Sequence, residues 1–310
     1  MKNRTFCTII TQSHFPFASA LYHSLAQFDN SIGFQVLVVD YNEKLDTEFE
    51  ILSLDEVIEE DQLGQEVNVK YNHPGTLDQL RWSLKPILIN YLFDLGYDKV
   101  IFTDPDTYYF SDYSFLFNEL DDNDILLTPH WRGITPENNQ SNFNLQFVGG
   151  LFNAGFIGVN KHAKDVMEWW AINCLYKCEK DFNNGHYVDQ TYLNLMPIYF
   201  DKVKILKHQG CNVANWNQQV CERTERDGQV FINNRWEIVF IHFTTSTIRG
   251  ILFQQDIKLA PYLEKYLITL KNKGFEMELD RLKPIKKQPP QKSRYLHIKN
   301  LIYKRVKFLK

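Results

Sequence analysis

The chain has 310 residues, 44% hydrophobic and 15% aromatic, with 34 basic and 38 acidic side chains and a formal net charge of -4 at pH 7. That length holds one large α/β domain or two small ones, and the composition is that of a globular chain, not a disordered or fibrous one. The charge is uneven: Arg281 to Lys310 carries eleven Lys and Arg and no acid, leaving 23 bases against 38 acids before it, a body too acidic to bind nucleic acid over its whole surface.

In chain order, Arg4–Thr11 is a short β-rich run, Phe15–Phe28 has helical spacing, and Phe34–Asp40 is a buried strand ending in an acid. This is a βαβ opening. The acidic stretch Glu43–Glu66 has no clear period. Thr76–Leu95 then has the spacing of one long helix closed by Gly96, and Lys99–Thr103 is a strand that Pro105 stops inside Asp104-Pro105-Asp106. A short helix at Phe115–Leu120 and a strand at Asp124–Thr128 follow, then an irregular polar segment from Trp131 to Gln146 suited to a substrate loop. Phe156–Val159 is another buried strand, Ala163–Cys178 a helix, Asp189–Leu195 a short helix, Val203–Leu206 a strand and Ile238–Phe243 the last strong strand. Helix Pro261–Leu270 precedes a linker, Lys283–Lys292, that holds Pro284, Pro289 and Pro290. Strands alternating with helices predict a sheet covered by helices.

Five cysteines include no C-x-x-C pair, and their odd number suits reduced thiols. The run Cys7–Ile10 is too short for a secretory segment, and no stretch approaches the ~20 apolar residues of a membrane span. The expected location is cytoplasmic.

An apolar strand ending in Asp-x-Asp delivers two carboxylates to the carboxyl edge of a sheet, where open α/β folds bind ligands. Alternate residues of an extended segment point oppositely, so the turn at Pro105 is what would converge Asp104 and Asp106. Two hard oxygen donors suit Mg²⁺ or Mn²⁺, and such an ion on a diphosphate offsets the charge that grows as a nucleoside diphosphate departs. Taken alone, Asp-Pro-Asp is also an ordinary turn.

The run Lys85-Pro86, Gly96 to Asp106, Leu126 to His130 and Phe152-Asn-Ala-Gly-Phe-Ile-Gly-Val-Asn160 resembles bacterial surface-polysaccharide glycosyltransferases of the GT-A fold. These are similar in turn to the family of glycogenin and the lipooligosaccharide galactosyltransferases. The resemblance covers about residues 4–250. It implies a GT-A domain over 1–280 with a mixed central sheet flanked by helices, and a hexosyltransferase, retention favoured, that uses Mn²⁺ or Mg²⁺. Its donor would be a nucleoside-diphosphate sugar, expected to be a UDP-sugar, and its acceptor a cell-surface or lipid-linked glycan.

By position, the resemblance makes Asp104 and Asp106 metal ligands and His242, at the end of the last strong strand, the imidazole that completes the set. A lone His in an apolar run is otherwise a satisfied core residue. Asn153-Ala154-Gly155 matches the family's Asn-Ala-Gly, in which the amide contacts a sugar and the glycine lets backbone come close. Asp189 and Gln190 match a segment beside the anomeric carbon, with Thr191 in place of the family's second Asp. An amide is a poor nucleophile, so front-face departure assisted by the leaving phosphate is easier to defend than a covalent intermediate. Lys85 matches a basic donor-binding position, with Arg81 its rival, and Thr11 and Gln12 end the first strand where base and ribose sit. Asp40 ends the second strand as a turn acid or a ligand. Arg249 stands where the family has a phosphate-clamping Lys. His130 and Trp131 either line an acceptor pocket or pack a loop.

From Tyr295 the chain has the pattern of a basic amphipathic helix, with Tyr295, Ile298, Ile302, Val306 and Leu309 on one face. Residues 281–310 are thus a Pro-containing linker and a helix that either lies on an anionic membrane surface or docks on protein. Two other functions fit parts of the pattern: a non-catalytic sugar- or nucleotide-binding scaffold on the same fold, and a phosphohydrolase of the haloacid-dehalogenase type. Against the second, Tyr108 stands where that class has Thr or Val, and about a hundred residues precede the motif.

Overall fold

A computed structural model describes residues 3–41 and 47–282. Residues Met1–Met277 form one compact unit and Glu278–Lys310 a second, of which only 278–282 are described. The amphipathic helix expected from Tyr295 lies outside the described residues.

Strand β1 (Arg4–Ile10), helix α1 (Phe15–Ala26) and strand β2 (Gly33–Val38) form the expected βαβ unit, with β1 and β2 parallel. The acidic stretch that lacked a readable period holds β3 (Glu50–Ser53), α2 (Leu54–Ile58) and α3 (Gln62–Tyr71). Ser53 caps α2 in a capping box with Glu56, and the Asp61 carboxylate caps α3 by accepting from the Gly64 N–H.

The long helix expected over Thr76–Leu95 is two helices, α4 (Leu77–Ser83) and α5 (Lys85–Asp94), meeting at Leu84. Pro86 explains the break: it has no N–H to give the Trp82 carbonyl, and its ring excludes a continuous helix there, although it suits the first turn of a new one. The break starts α5 at Lys85 and leaves that side chain buried.

Next come β4 (Lys99–Thr103), β5 (Thr107–Tyr109), α6 (Ser114–Asp122), β6 (Ile125–Pro129), α7 (Gln140–Val148) and β7 (Phe152–Asn160). Helix α7 falls in the segment expected to be irregular; Asn139 caps it by accepting from the Asn142 N–H. After α8 (Lys164–Tyr176) come the two-residue strands β8 (Lys180–Asp181) and β9 (His186–Tyr187), then α9 (Met196–Tyr199) and β10 (Val203–Ile205). Strands β11 (Arg223–Arg226), β12 (Gln229–Ile232) and β13 (Trp236–Glu237) form an antiparallel sheet. Strand β14 (Phe240–His242), α10 (Thr245–Leu252) and α11 (Ala260–Asn272) complete the unit.

The central sheet has seven strands in the order β10-β6-β7-β4-β1-β2-β3, parallel except for β7, which runs antiparallel to β4 and β6. Both faces are covered, which is why its strands read as apolar runs and all nine residues of β7 are buried. Alternation divides the core in two. Cys7, Ile9, Val100, Phe102, Ile157 and Val159 pack on one side with α5 and α8, while Phe6, Ile10, Ile101 and Phe156 pack on the other with α1 and α6. No helix among the described residues is long and apolar enough to cross a membrane.

Candidate active site

The Asp104-Pro105-Asp106 segment is a β-turn at the carboxyl end of β4. The Thr107 N–H donates to the Asp104 carbonyl at 3.1 Å, with Pro105 at the position whose φ proline already fixes. The turn sends the chain into β5, which pairs antiparallel with β14 so that Thr107 faces His242. The Phe243 N–H donates to the Asp106 carbonyl at 2.8 Å and locks that register. A histidine far along the chain is thereby set beside both acids.

His242 Nε2 lies 3.0 Å from Asp106 Oδ1 and 3.7 Å from Asp104 Oδ2. One ligand atom from each residue can be chosen so that all three lie within 4.8 Å of one another, the arrangement of a group able to hold a metal ion. Burial opposes ionisation of both His242 and Asp106. Their mutual attraction outweighs it, raising the imidazole's pKa and lowering the carboxyl's. The other ring nitrogen, His242 Nδ1, is buried with no hydrogen-bond partner.

Gly155, on β7, sits against this group. A Cβ there would lie 2.4 Å from His242 Cε1, 2.7 Å from Asp104 Oδ2 and 2.7 Å from Asn153 Oδ1. Only a residue without a side chain leaves room for His242, Asp104 and Asn153 to meet, and the Gly155 carbonyl accepts from the Asp104 N–H at 2.8 Å.

Lys85 is buried at the start of α5. Its ammonium donates to the Ala154 carbonyl at 2.9 Å and pairs with Asp189 Oδ2 at 2.9 Å and Asp104 Oδ1 at 3.4 Å. Burial alone would lower its pKa, but the two carboxylates outweigh that and raise it. Lys85 therefore ties the Asp104-Pro105-Asp106 turn to the Asp189 segment. Arg81, its rival, pairs with Asp78 instead.

Asp189 follows Val188, whose φ of 47° is a strained value for a β-branched residue. Burial raises the Asp189 pKa despite Lys85. Gln190 Oε1 accepts from the Asn153 side chain and the Ala154 N–H, both at 3.1 Å, and its Nε2 donates to the Gly149 carbonyl, which leaves one N–H over. Asn153 is saturated. Its Oδ1 accepts from Gly155 N–H and Asn212 Nδ2, and its Nδ2 donates to Gln190 and, at 3.4 Å, to His130 Nε2. Burial and the Arg132 charge pull the His130 pKa down to about 3, so the ring is neutral and donates from Nδ1 to the Gly150 carbonyl at 3.0 Å.

These groups line a cleft of about 310 Å³, within the range of small-molecule sites. Its walls hold Lys85, Asp104, Asp106, His130, Asn153, Gly155, Asp189, Gln190 and His242, so most of the residues singled out in the sequence converge here. Trp131 is not in the lining; Arg132 is, along with Trp82, Lys180, Tyr187, Trp216 and Thr244, which the sequence did not single out. Trp216 stands edge-on to both His130 and His242, at ring distances of 5.5 and 5.3 Å. An isolated Trp in a polar run carries no periodic signal, and neither does Asn212. Thr11, Gln12 and Arg249 do not line the cleft. Thr11 and Gln12 follow directly on β1, where the Gln12 N–H donates to Asp40 Oδ1 at 2.6 Å and Thr11 Oγ1 hydrogen-bonds His14 Nδ1 at 2.8 Å. Arg249 is exposed on α10, whose capping residue Thr244 reaches the cleft.

No protein-family model matches the chain. It is similar to two uncharacterized proteins of Bacillus subtilis (strain 168). YfnF is 26% identical over 255 residues, which cover 79% of this chain and 82% of YfnF; YfnD is 27% identical over 252 residues, 78% of each. Among solved structures, the galactosyltransferase LgtC in complex with donor and acceptor sugar analogues superposes with a TM-score of 0.55 at 14% identity, over 90% of this chain and 99% of LgtC. The bifunctional glycosyltransferase WbbM gives 0.50 at 13% identity, over 91% of this chain and 52% of its own. The mixed seven-stranded sheet and these likenesses give one result: the chain has the GT-A glycosyltransferase fold.

Proposed function

We propose that the protein transfers a sugar, a hexose, from a nucleoside-diphosphate donor, a UDP-sugar, to a hydroxyl of a cell-surface or lipid-linked glycan. The observation that carries this reading is the convergence of Asp104, Asp106 and His242 on a cleft that Asp189 and Gln190 also line. Two carboxylates and an imidazole fit Mn²⁺ or Mg²⁺ in charge and donor type, and the buried, unpartnered His242 Nδ1 leaves Nε2 as the nitrogen that faces the acids. When bound, the ion supplies Lewis-acid support to the departing diphosphate.

The chain's own residues do the rest by positioning. Lys85 holds Asp104 and Asp189 at fixed separation and brings a positive charge to the cleft. Asn153, with all its hydrogen-bonding positions taken, orders Gln190 and His130, and the remaining Gln190 N–H is the donor left for a sugar hydroxyl. Thr11 and Gln12 take the nucleoside at the end of β1, and Arg249 contacts the donor's phosphates from α10. Retention through front-face departure fits the side chains present. Asp189 is committed to Lys85, the Gln190 oxygen already accepts two hydrogen bonds, and Thr191 Oγ1 accepts from the Tyr187 N–H at 3.2 Å. An acceptor on a lipid fits a cytoplasmic enzyme held at the membrane by the basic residues 281–310.

The test is a thermal-shift panel of nucleoside diphosphates with and without Mn²⁺. UDP is expected to raise the melting temperature only with metal, and Asp106→Ala to abolish that rise while melting cooperatively. A UDP shift of equal size without metal, or unchanged in Asp106→Ala, refutes the metal assignment.

A further inference from the structure

Three carboxylates line the cleft, and each of them already has a partner. Of its three acids, Asp104 and Asp189 pair with Lys85, and Asp106 pairs with His242. Arg132 and Lys180 also line it, and among the described residues neither forms a salt bridge with a carboxylate, Lys177 rather than Lys180 being the partner of Asp181. Arg132 is half-buried and its Nε is fully buried with no hydrogen-bond partner. A guanidinium N–H buried without an acceptor is costly, and part of that cost is recovered when an anion arrives to accept from it. Burial also lowers its pKa, to about 10, which still leaves it charged near neutrality.

The two cations are held in place. Trp131, just before Arg132, adopts a φ of 51°, and just after it the Gly133 N–H and carbonyl are pinned to α7 by Asn142 at 2.8 Å and Gln146 at 3.0 Å. Lys180 stands directly opposite Tyr187 in the β8–β9 pair, with its ammonium 5.6 Å from the ring centres of both Tyr187 and Trp82. The hairpin is closed by Asp181, which pairs with Lys177 at 2.6 Å and accepts from Asn184 at 2.7 Å. Trp82 and Tyr187 supply flat apolar faces beside Lys180, and Trp216 adds a third to the same cleft, the kind of surface on which sugar C–H groups pack.

Resting on the transferase reading above, we infer that Arg132 and Lys180 form an anion subsite, so that one of the two sugars handled here carries a carboxylate or a phosphate. The fork of Arg132 matches either group, and Lys180 adds a second point charge on the same cleft. The anion can be on the donor's sugar or on the acceptor's, and the test separates the two.

The full chain is titrated in two arms, followed by tryptophan fluorescence because Trp82 and Trp216 line the cleft. The donor arm compares UDP-glucuronate with UDP-glucose in Mn²⁺. The acceptor arm compares methyl glucuronide and methyl glucoside 6-phosphate with neutral methyl glucoside, with and without UDP and Mn²⁺. In one arm an anionic probe is expected to bind about tenfold or more tightly than its neutral twin. Arg132→Gln and Lys180→Gln each reduce that preference and leave the neutral twin's affinity alone, and Arg132→Lys keeps part of it. Equal binding of charged and neutral twins in both arms, or a preference that survives Arg132→Gln, overturns the anion subsite. UDP alone with Mn²⁺ is the reference. If UDP fails to bind, the transferase reading falls, while an Arg132-dependent preference for methyl glucuronide would still uphold the subsite.

Discussion

Replacing Gly155 by alanine puts one methyl group where His242, Asp104 and Asn153 meet. The strand's φ and ψ accept alanine, so the effect is steric alone. The new Cβ would lie 2.4 Å from His242 Cε1, whereas ordinary contact begins near 3.4 Å, so the ring must retreat by about 1 Å. Asn153 cannot yield in its place, because its four hydrogen bonds fix it. A nitrogen–metal bond is only about 2 Å long, and a displacement of about 1 Å in a preorganised site costs about 10²-fold. Gly155→Ala is therefore expected to weaken Mn²⁺-dependent UDP binding about 100-fold, or about 2.7 kcal/mol, by calorimetric titration. Overpacking itself costs about 1–3 kcal/mol of stability, so the control is Gly158→Ala on the same strand, where the atoms nearest the new Cβ belong to the Leu126 side chain, from 3.2 Å. UDP affinity unchanged in Gly155→Ala, or lost equally in Gly158→Ala, would refute the claim that Gly155 is there to admit the site.

Two further predictions concern stability. The His130 pKa is depressed by burial, so the folded state refuses a proton that the unfolded chain accepts below pH ~6.5. Its contribution to stability is complete above that pH and falls by about 1.4 kcal/mol per unit as pH drops from there towards about 3. His130→Gln should flatten the dependence of the urea midpoint on pH between 6.5 and 5, and an unaltered slope would contradict the neutral assignment. Arg223 and Asp256 form a buried pair at 3.0 Å, with relative exposures of 3% and 6% for the side chains. Asp256→Ala should cost about 3–5 kcal/mol by leaving a buried guanidinium unpaired, with much of that recovered when Arg223→Met is added. A single-variant loss under about 1 kcal/mol would show the charge finds another partner.

Much of the fold was legible because the central strands are buried on both faces and read as apolar runs between turn residues. The order of β1, β2, β4, β6 and β7 follows from that pattern with ends shifted by a few residues. What failed did so for local reasons. The split at Leu84 was concealed because hydrophobic spacing continues through Pro86, and α3 reads as a polar stretch because few of its residues face the core. The residues that line the cleft were legible where a motif and a strand end coincide, as at Asp104-Pro105-Asp106, and where order along the chain matched a known pattern, as at Asn153, Asp189 and His242. The cause of their meeting was not. Pairing of β5 with β14 and the approach of Lys180 to Trp82 join segments far apart in the chain, which no local spacing encodes.

The central claim is turnover, and the most direct measurement is release of UDP from a panel of UDP-sugars incubated with the full chain and Mn²⁺. Slow hydrolysis of one donor, dependent on metal and abolished by Asp106→Ala, is the predicted result. A donor that binds tightly through the same three residues and is never cleaved, with or without glycan acceptors, would contradict it and make the protein a sugar-nucleotide-binding scaffold.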